Sequence, residues 1–168
     1  MLSLYFYVNQ EAVVEIFLAT TSQEMSSSVS KEELRGFLRA LGEERETFRL
    51  SEREVLESVI LIGMRRSHKV IGIAGVRKRF GLPVVFVAVK SEYQGLGVGG
   101  RLLNNLHDIM REKCHFLLLS MVTRNVPAVR LFESHGYQKF YSTEDRSCMI
   151  KSFTAIGTLF AIFLRILF

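Results

Sequence analysis

The chain has 168 residues, 48% of them hydrophobic and 23% charged, with a formal net charge of +5. That balance is the one of an ordinary globular protein long enough to bury a real core in a single domain. The mild basic excess suits an anionic ligand, but no aromatic-interleaved basic stripe accompanies it, so nucleic acid is not expected as a partner.

The two cysteines, Cys114 and Cys148, show neither ligand spacing nor a disulfide framework, and read as reduced thiols of a cytoplasmic protein. The four histidines are scattered, which points to no metal site. The start of the chain lacks the basic n-region of a signal peptide.

Leu2 to Val8 reads as a first strand. Gln10 to Ala19 has helical spacing at Val13, Val14, Phe17 and Leu18, and a Ser/Thr-rich loop follows over Thr20 to Ser30. Ser30 with Glu33 forms a capping box ahead of Leu34, Phe37, Leu38 and Leu41, and Ser51 with Glu54 opens a shorter helix in the same way. Val59 to Met64 and Val70 to Arg77 are strands across a polar turn, and Phe80 to Pro83 turns into the strand Val84 to Val89. The basic groups at Arg65 to Lys69 and Arg77 to Arg79 fall at these turns, where charge is solvated.

Four glycines then fall within six residues, Gly95 to Gly100, followed by an amphipathic helix over Arg101 to Lys113. Phe116 to Val122 is a buried strand. Pro127 sits near the start of a helix that ends at His135-Gly136, and two short strands follow near Gln138 to Tyr141 and Ser147 to Lys151. The order mixes antiparallel hairpins with strand–helix–strand units. It specifies an α+β fold: a mixed, mostly antiparallel central sheet with helices on both faces, residues 1–152 forming one domain.

The tail, Phe153 to Phe168, is separate in character. Twelve of its sixteen residues are apolar and Arg165 is its one charge. A helix apolar on all sides must be covered by protein or lipid, and this one is short of the about 20 residues that a membrane span needs. Packing on this chain, a homodimer, and a peripheral membrane helix with Arg165 reaching a headgroup all remain open.

A strand, a side-chain-free loop and a helix start in succession present unpaired backbone N–H groups and a positive dipole end, which hold phosphate or pyrophosphate. Two familiar phosphate loops do not fit. Gly95, Gly97 and Gly100 have dinucleotide spacing, but the next strand ends in Thr123 rather than an acid. No Gly-Lys-Ser/Thr follows, which excludes the Walker type.

Two segments carry a resemblance. Gln94, Gly97 and Gly99, within Val89 to Leu103, match Gln/Arg-x-x-Gly-x-Gly/Ala. About thirty residues on, Asn125 to Tyr137 matches Asn-x-x-Ala-x-x-Leu-Tyr/Phe-x-x-x-Gly-Phe/Tyr. Together they resemble the GNAT superfamily of acyl-CoA N-acetyltransferases, over about Val59 to Lys151.

The resemblance implies acetyl-CoA, or another acyl-CoA, as cosubstrate and an amine as acceptor, with no metal. Its pyrophosphate would sit on Gly95, Leu96, Gly97, Val98, Gly99 and Gly100, behind Gln94. Its pantetheine would pair with Val87, Ala88 and Val89, the Val89 N–H facing the developing oxyanion. Asn125, which also suits a helix cap, and Phe132 would flank it. Many relatives carry Tyr where this chain has Phe132, so the acid falls by substitution to Tyr137 or Tyr93. Relatives acting on protein N-termini often carry Glu where this chain has Ser120. A serine orders water but is a poor base, and Glu54, Glu57, Glu92, His115 and His135 are further candidates. The alternative is a domain that binds acyl-CoA without transferring the acyl group.

Overall fold

The computed structural model describes residues 4–6, 14–19, 29–44 and 51–168. Contacts divide the chain into two units. The first holds Met1–Arg77 with Phe86–Leu106, and the second holds Lys78–Val85 with His107–Phe168.

In the first unit, β1 (Leu4–Phe6), β2 (Val14–Ala19), β3 (Ile60–Arg66) and the first part of β4 (Lys69–Arg79) pair antiparallel in that order. The helical spacing expected over Gln10 to Ala19 is overturned: Val14–Ala19 is a strand, paired with β3 from Val14–Arg66 to Ala19–Leu61. Residues 10–13 lie outside the described set, as do 20–28 of the expected loop. Phe17 and Ala19 are buried while Leu18 is exposed, a period of two that the spacing Val14-Phe17-Leu18 had masked. Phe17 sits opposite Gly63, whose missing side chain makes room for the ring. The hairpin joining β3 to β4 turns on Ser67 and His68, both at positive φ.

α1 (Lys31–Glu44) and α2 (Glu52–Leu56) start where expected. The Glu33 N–H donates to Ser30 Oγ at 3.0 Å, and Ser51 forms a full capping box with Glu54. Leu34, Phe37, Leu41 and Val55 pack on Phe17, Leu61 and Ile73 as one apolar cluster. Gly72, one residue before Ile73 and so on the opposite face of β4, meets Leu102 and Val98 of α3 (Val98–Met110). Helices therefore cover both faces of this sheet.

In the second unit, the first part of β5 (Leu82–Val89) runs beside β6 (Phe116–Val122) in parallel, registered at Val84 and Leu118. β8 (Arg146–Ser152) lies antiparallel between β6 and β7 (Gln138–Ser142). α4 (Val126–Ser134) links β6 to β7.

The tail forms α5 (Ala155–Leu167), capped by Thr154, whose hydroxyl accepts from the Gly157 N–H at 3.3 Å. One side packs inward. Gly157 rests against the His115 carbonyl, and Phe160 stacks on Phe116 with ring centres 4.6 Å apart. Arg165 donates to Gln138 Oε1 at 2.7 Å. Among the described residues, no helix is long and apolar enough to cross a membrane.

Candidate functional site

The glycine junction lies in the first unit. β5 ends where the Lys90 N–H donates to the Ile71 carbonyl at 3.0 Å. A single 3-10 turn, Ser91–Tyr93, reverses the chain, and the Gln94 side-chain amide donates back to the Val89 carbonyl at 2.8 Å. Gln94 thus ties the loop to the end of β5. Gly95 and Gly97 have φ of 75° and 77°, which other residues adopt only with strain. A Cβ on either would meet no protein atom within 4 Å, so conformation, not crowding by the protein, demands these glycines.

α3 begins inside the glycine run, three residues before the expected Arg101, so Gly99 and Gly100 belong to its first turn. Its first bond runs from the Arg101 N–H to the Gly97 carbonyl at 3.0 Å. The N–H groups of Gly97 to Gly100 precede it and have no intrahelical partner. No acid lies in the first turn, and Arg101 is exposed beside it. A bare helix start with an adjacent cation is built for an anion. Glu54 and Glu57 are engaged elsewhere, Glu54 with Ser51 and Arg77, Glu57 with Arg53 at 2.6 Å.

The segment from Asn125 to Tyr137 lies in the second unit. Asn125 Oδ1 accepts from the Ala128 N–H at 3.3 Å, capping α4, with Pro127 in the first turn. Its side-chain amide nitrogen has no protein partner among the described residues. Phe132 is buried and meets the Tyr137 ring edge-on, centres 5.0 Å apart at 82°. Tyr137 is only 2% exposed, and its hydroxyl shares a 3.1 Å hydrogen bond with His107 Nε2.

His107 is 5% exposed on the apolar stripe of α3 formed with Leu103, Leu106 and Met110, and sequence reasoning missed it. The signal was available: a histidine at a core position needs a polar partner. Burial first, then the positive charges of Lys151, His135 and Arg111, push its pKa down from 6.5 to about 3. Burial also raises the Tyr137 hydroxyl above its ordinary range. The pair is held neutral from both sides, which gives Tyr137 the environment of a core residue rather than of a proton donor.

Ser120 is exposed on β6, and its hydroxyl accepts from Arg146 Nη1 at 3.1 Å across the β6–β8 pair. Arg146 has no carboxylate partner among the described residues. His115 shares a hydrogen bond with Thr154 at 3.1 Å, and His135 Nδ1 lies 2.7 Å from the Leu131 carbonyl, so both are occupied structurally. Cys114 is half-buried, and burial raises its thiol pKa. No group of three or more metal-ligating side chains occurs among the described residues.

A mixed, mostly antiparallel sheet flanked by helices, with a strand–glycine–helix junction, defines an α+β protein. The model of the "Acetyltransferase (GNAT) family" matches residues 23–137, and the chain belongs to that family. The match begins well before Val59, where the sequence resemblance starts. No curated protein sequence matches the chain.

Among solved structures, the fold is similar to a GNAT-family acetyltransferase from Streptococcus pneumoniae, at 19% identity over 82% of this chain and 99% of that one, TM-score 0.62. It is also similar to the ribosomal-protein-S18-alanine N-acetyltransferase of Escherichia coli, at 18% identity over 83% and 94%, TM-score 0.61. A third is a putative acetyltransferase from Salmonella typhimurium with its cofactor acetyl-CoA, at 16% identity over 83% and 95%, TM-score 0.58.

Proposed function

We propose that the chain is an acyl-CoA-dependent N-acyltransferase that transfers the acyl group directly to a primary amine. One observation carries the reading: two left-handed glycines, Gly95 and Gly97, lead into a helix start with no acid in its first turn. In this reading the pyrophosphate of acetyl-CoA lies on Gly95 to Gly100 and the pantetheine follows Val87 to Val89. The amide nitrogen of Asn125, which the cap of α4 does not use, is assigned by this reading to the acyl-CoA.

Direct transfer needs a neutral amine, a donor for the oxyanion and a route for the protons. The Val89 N–H serves as the donor. Tyr137 is not assigned as the acid, because its hydroxyl is closed off by His107. Proton transfer then passes to water, and positioning supplies most of the rate. Position 120 carries a serine held by a guanidinium instead of a carboxylate. That arrangement supports an amine acceptor with its own carboxylate, which Arg146 pairs, over a peptide N-terminus.

The second reading, acyl-CoA binding without transfer, is favoured by Phe132 and by the neutral His107–Tyr137 pair, neither of which supplies an acid. Thiol release from acetyl-CoA with a panel of amines separates the two. Turnover well above the uncatalysed rate supports transfer; stoichiometric binding with no thiol release supports the sensor.

A further inference from the structure

The outer side of α5 is unlike any other surface of the described chain. Ile156, Leu159, Ile162, Phe163, Ile166 and Leu167 are all exposed, Leu159 by 68% and Ile166 by 80%. At about 100° per residue they fall within an arc of about 140°, opposite the side that carries Gly157 and Ala161 against the sheet. Taking ~200 Å² for a fully exposed large apolar side chain, the arc with Phe168 exposes on the order of 800 Å². A typical monomer's largest apolar patch is about 300–600 Å².

We propose that this face binds a second copy of the chain, α5 against α5, in a two-fold dimer. The area is the first argument: about 800 Å² is what each partner contributes to a standard stable interface. The charges around the helix are the second. Arg165 donates to Gln138, Lys139 pairs with Glu133 at 2.9 Å, and Lys151 donates inward to the His135 carbonyl at 2.6 Å. Arg165 of α5, Lys139 of β7 and Lys151 near the end of β8 thus each have a protein partner. A helix lying on an anionic membrane gains from several Lys or Arg on its polar face, and α5 carries only Arg165.

A self-complementary apolar stripe with its charges turned aside suits an isologous contact, in which the same patch serves both copies. The stripe is centred on Leu159 and Phe163, which places them nearest the two-fold axis.

The test uses the full chain without detergent. Sedimentation equilibrium from about 1 to 100 µM is expected to give twice the chain mass at the upper end. The double variant L159E/I166E, at exposed positions, is expected to stay monomeric with an unchanged circular dichroism spectrum. Hydrogen exchange on the unmodified chain guards against a variant that fails to fold: α5 amides are expected to exchange several-fold more slowly at 100 µM than at 1 µM. A monomer at 100 µM with concentration-independent exchange overturns the proposal. So does a monomer that sediments with vesicles of neutral or anionic phospholipid, which assigns the face to lipid. Neither outcome bears on acyl-CoA binding.

Discussion

The Tyr137 hydroxyl and His107 Nε2 share a 3.1 Å hydrogen bond in the interior of the second unit, joining the loop after α4 to the last turn of α3. Removing one partner leaves the other buried and unsatisfied. Tyr137→Phe is expected to lower stability by about 1–3 kcal/mol in urea denaturation. Because Tyr137 is not the proton donor in this account, kcat is expected to stay within about threefold of the unmodified chain. A loss of 100-fold or more, the scale of a removed general acid, would return that role to it.

The same pair sets a pH dependence. His107 titrates near 6.5 when unfolded and is pushed to about 3 when folded, mainly by burial. Between those values the unfolded chain binds the extra proton. This group's contribution is therefore complete above pH 6.5 and is lost as the pH falls towards 3. Denaturation midpoints measured across that window should decline for the unmodified chain, and the decline should be shallower for His107→Leu. Parallel profiles would remove His107 as the cause.

Asn125 combines a structural role with a proposed binding role, and two variants separate them. Asn125→Ala loses the cap of α4 and is expected to cost about 1 kcal/mol. Asn125→Asp keeps the capping oxygen but loses the amide donor. It is expected to hold its stability while weakening acetyl-CoA binding about tenfold by calorimetry. Unchanged affinity in Asn125→Asp would confine the residue to capping.

Arg146 tests the acceptor class. Arg146→Gln is expected to raise KM about tenfold for amines bearing a carboxylate, the scale of one charge-assisted hydrogen bond at an open site. The matching amides and the KM for acetyl-CoA should be little affected. An equal effect on both acceptor sets would remove Arg146 from recognition.

What could be read from sequence was what is decided locally. β3, β4 and β6 announced themselves as apolar runs between turns, and the caps at Ser30 and Ser51 set the starts of α1 and α2. The strand–glycine–helix junction was legible for the same reason, because its parts are consecutive. Val14–Ala19 was not: its apolar residues fit both periods, and Gly63 opposite Phe17 settled the matter through a distant partner. The side on which α5 packs was also hidden, since it depends on Gly157 meeting His115 and Phe160 meeting Phe116. His107 and Arg146 escaped notice because each acts through a residue about thirty positions away.

The account rests on the glycine cradle, and titration with acetyl-CoA tests it most directly. At about 100 times its dissociation constant, acetyl-CoA should stabilise the chain by about 2.7 kcal/mol, read as a rise in Tm. Gly97→Asp, which brings charge and a strained φ to the cradle, should fold with a lower Tm and show no rise. An unmodified chain whose Tm does not move at millimolar acetyl-CoA, or a Gly97→Asp variant that responds as fully, would contradict the account.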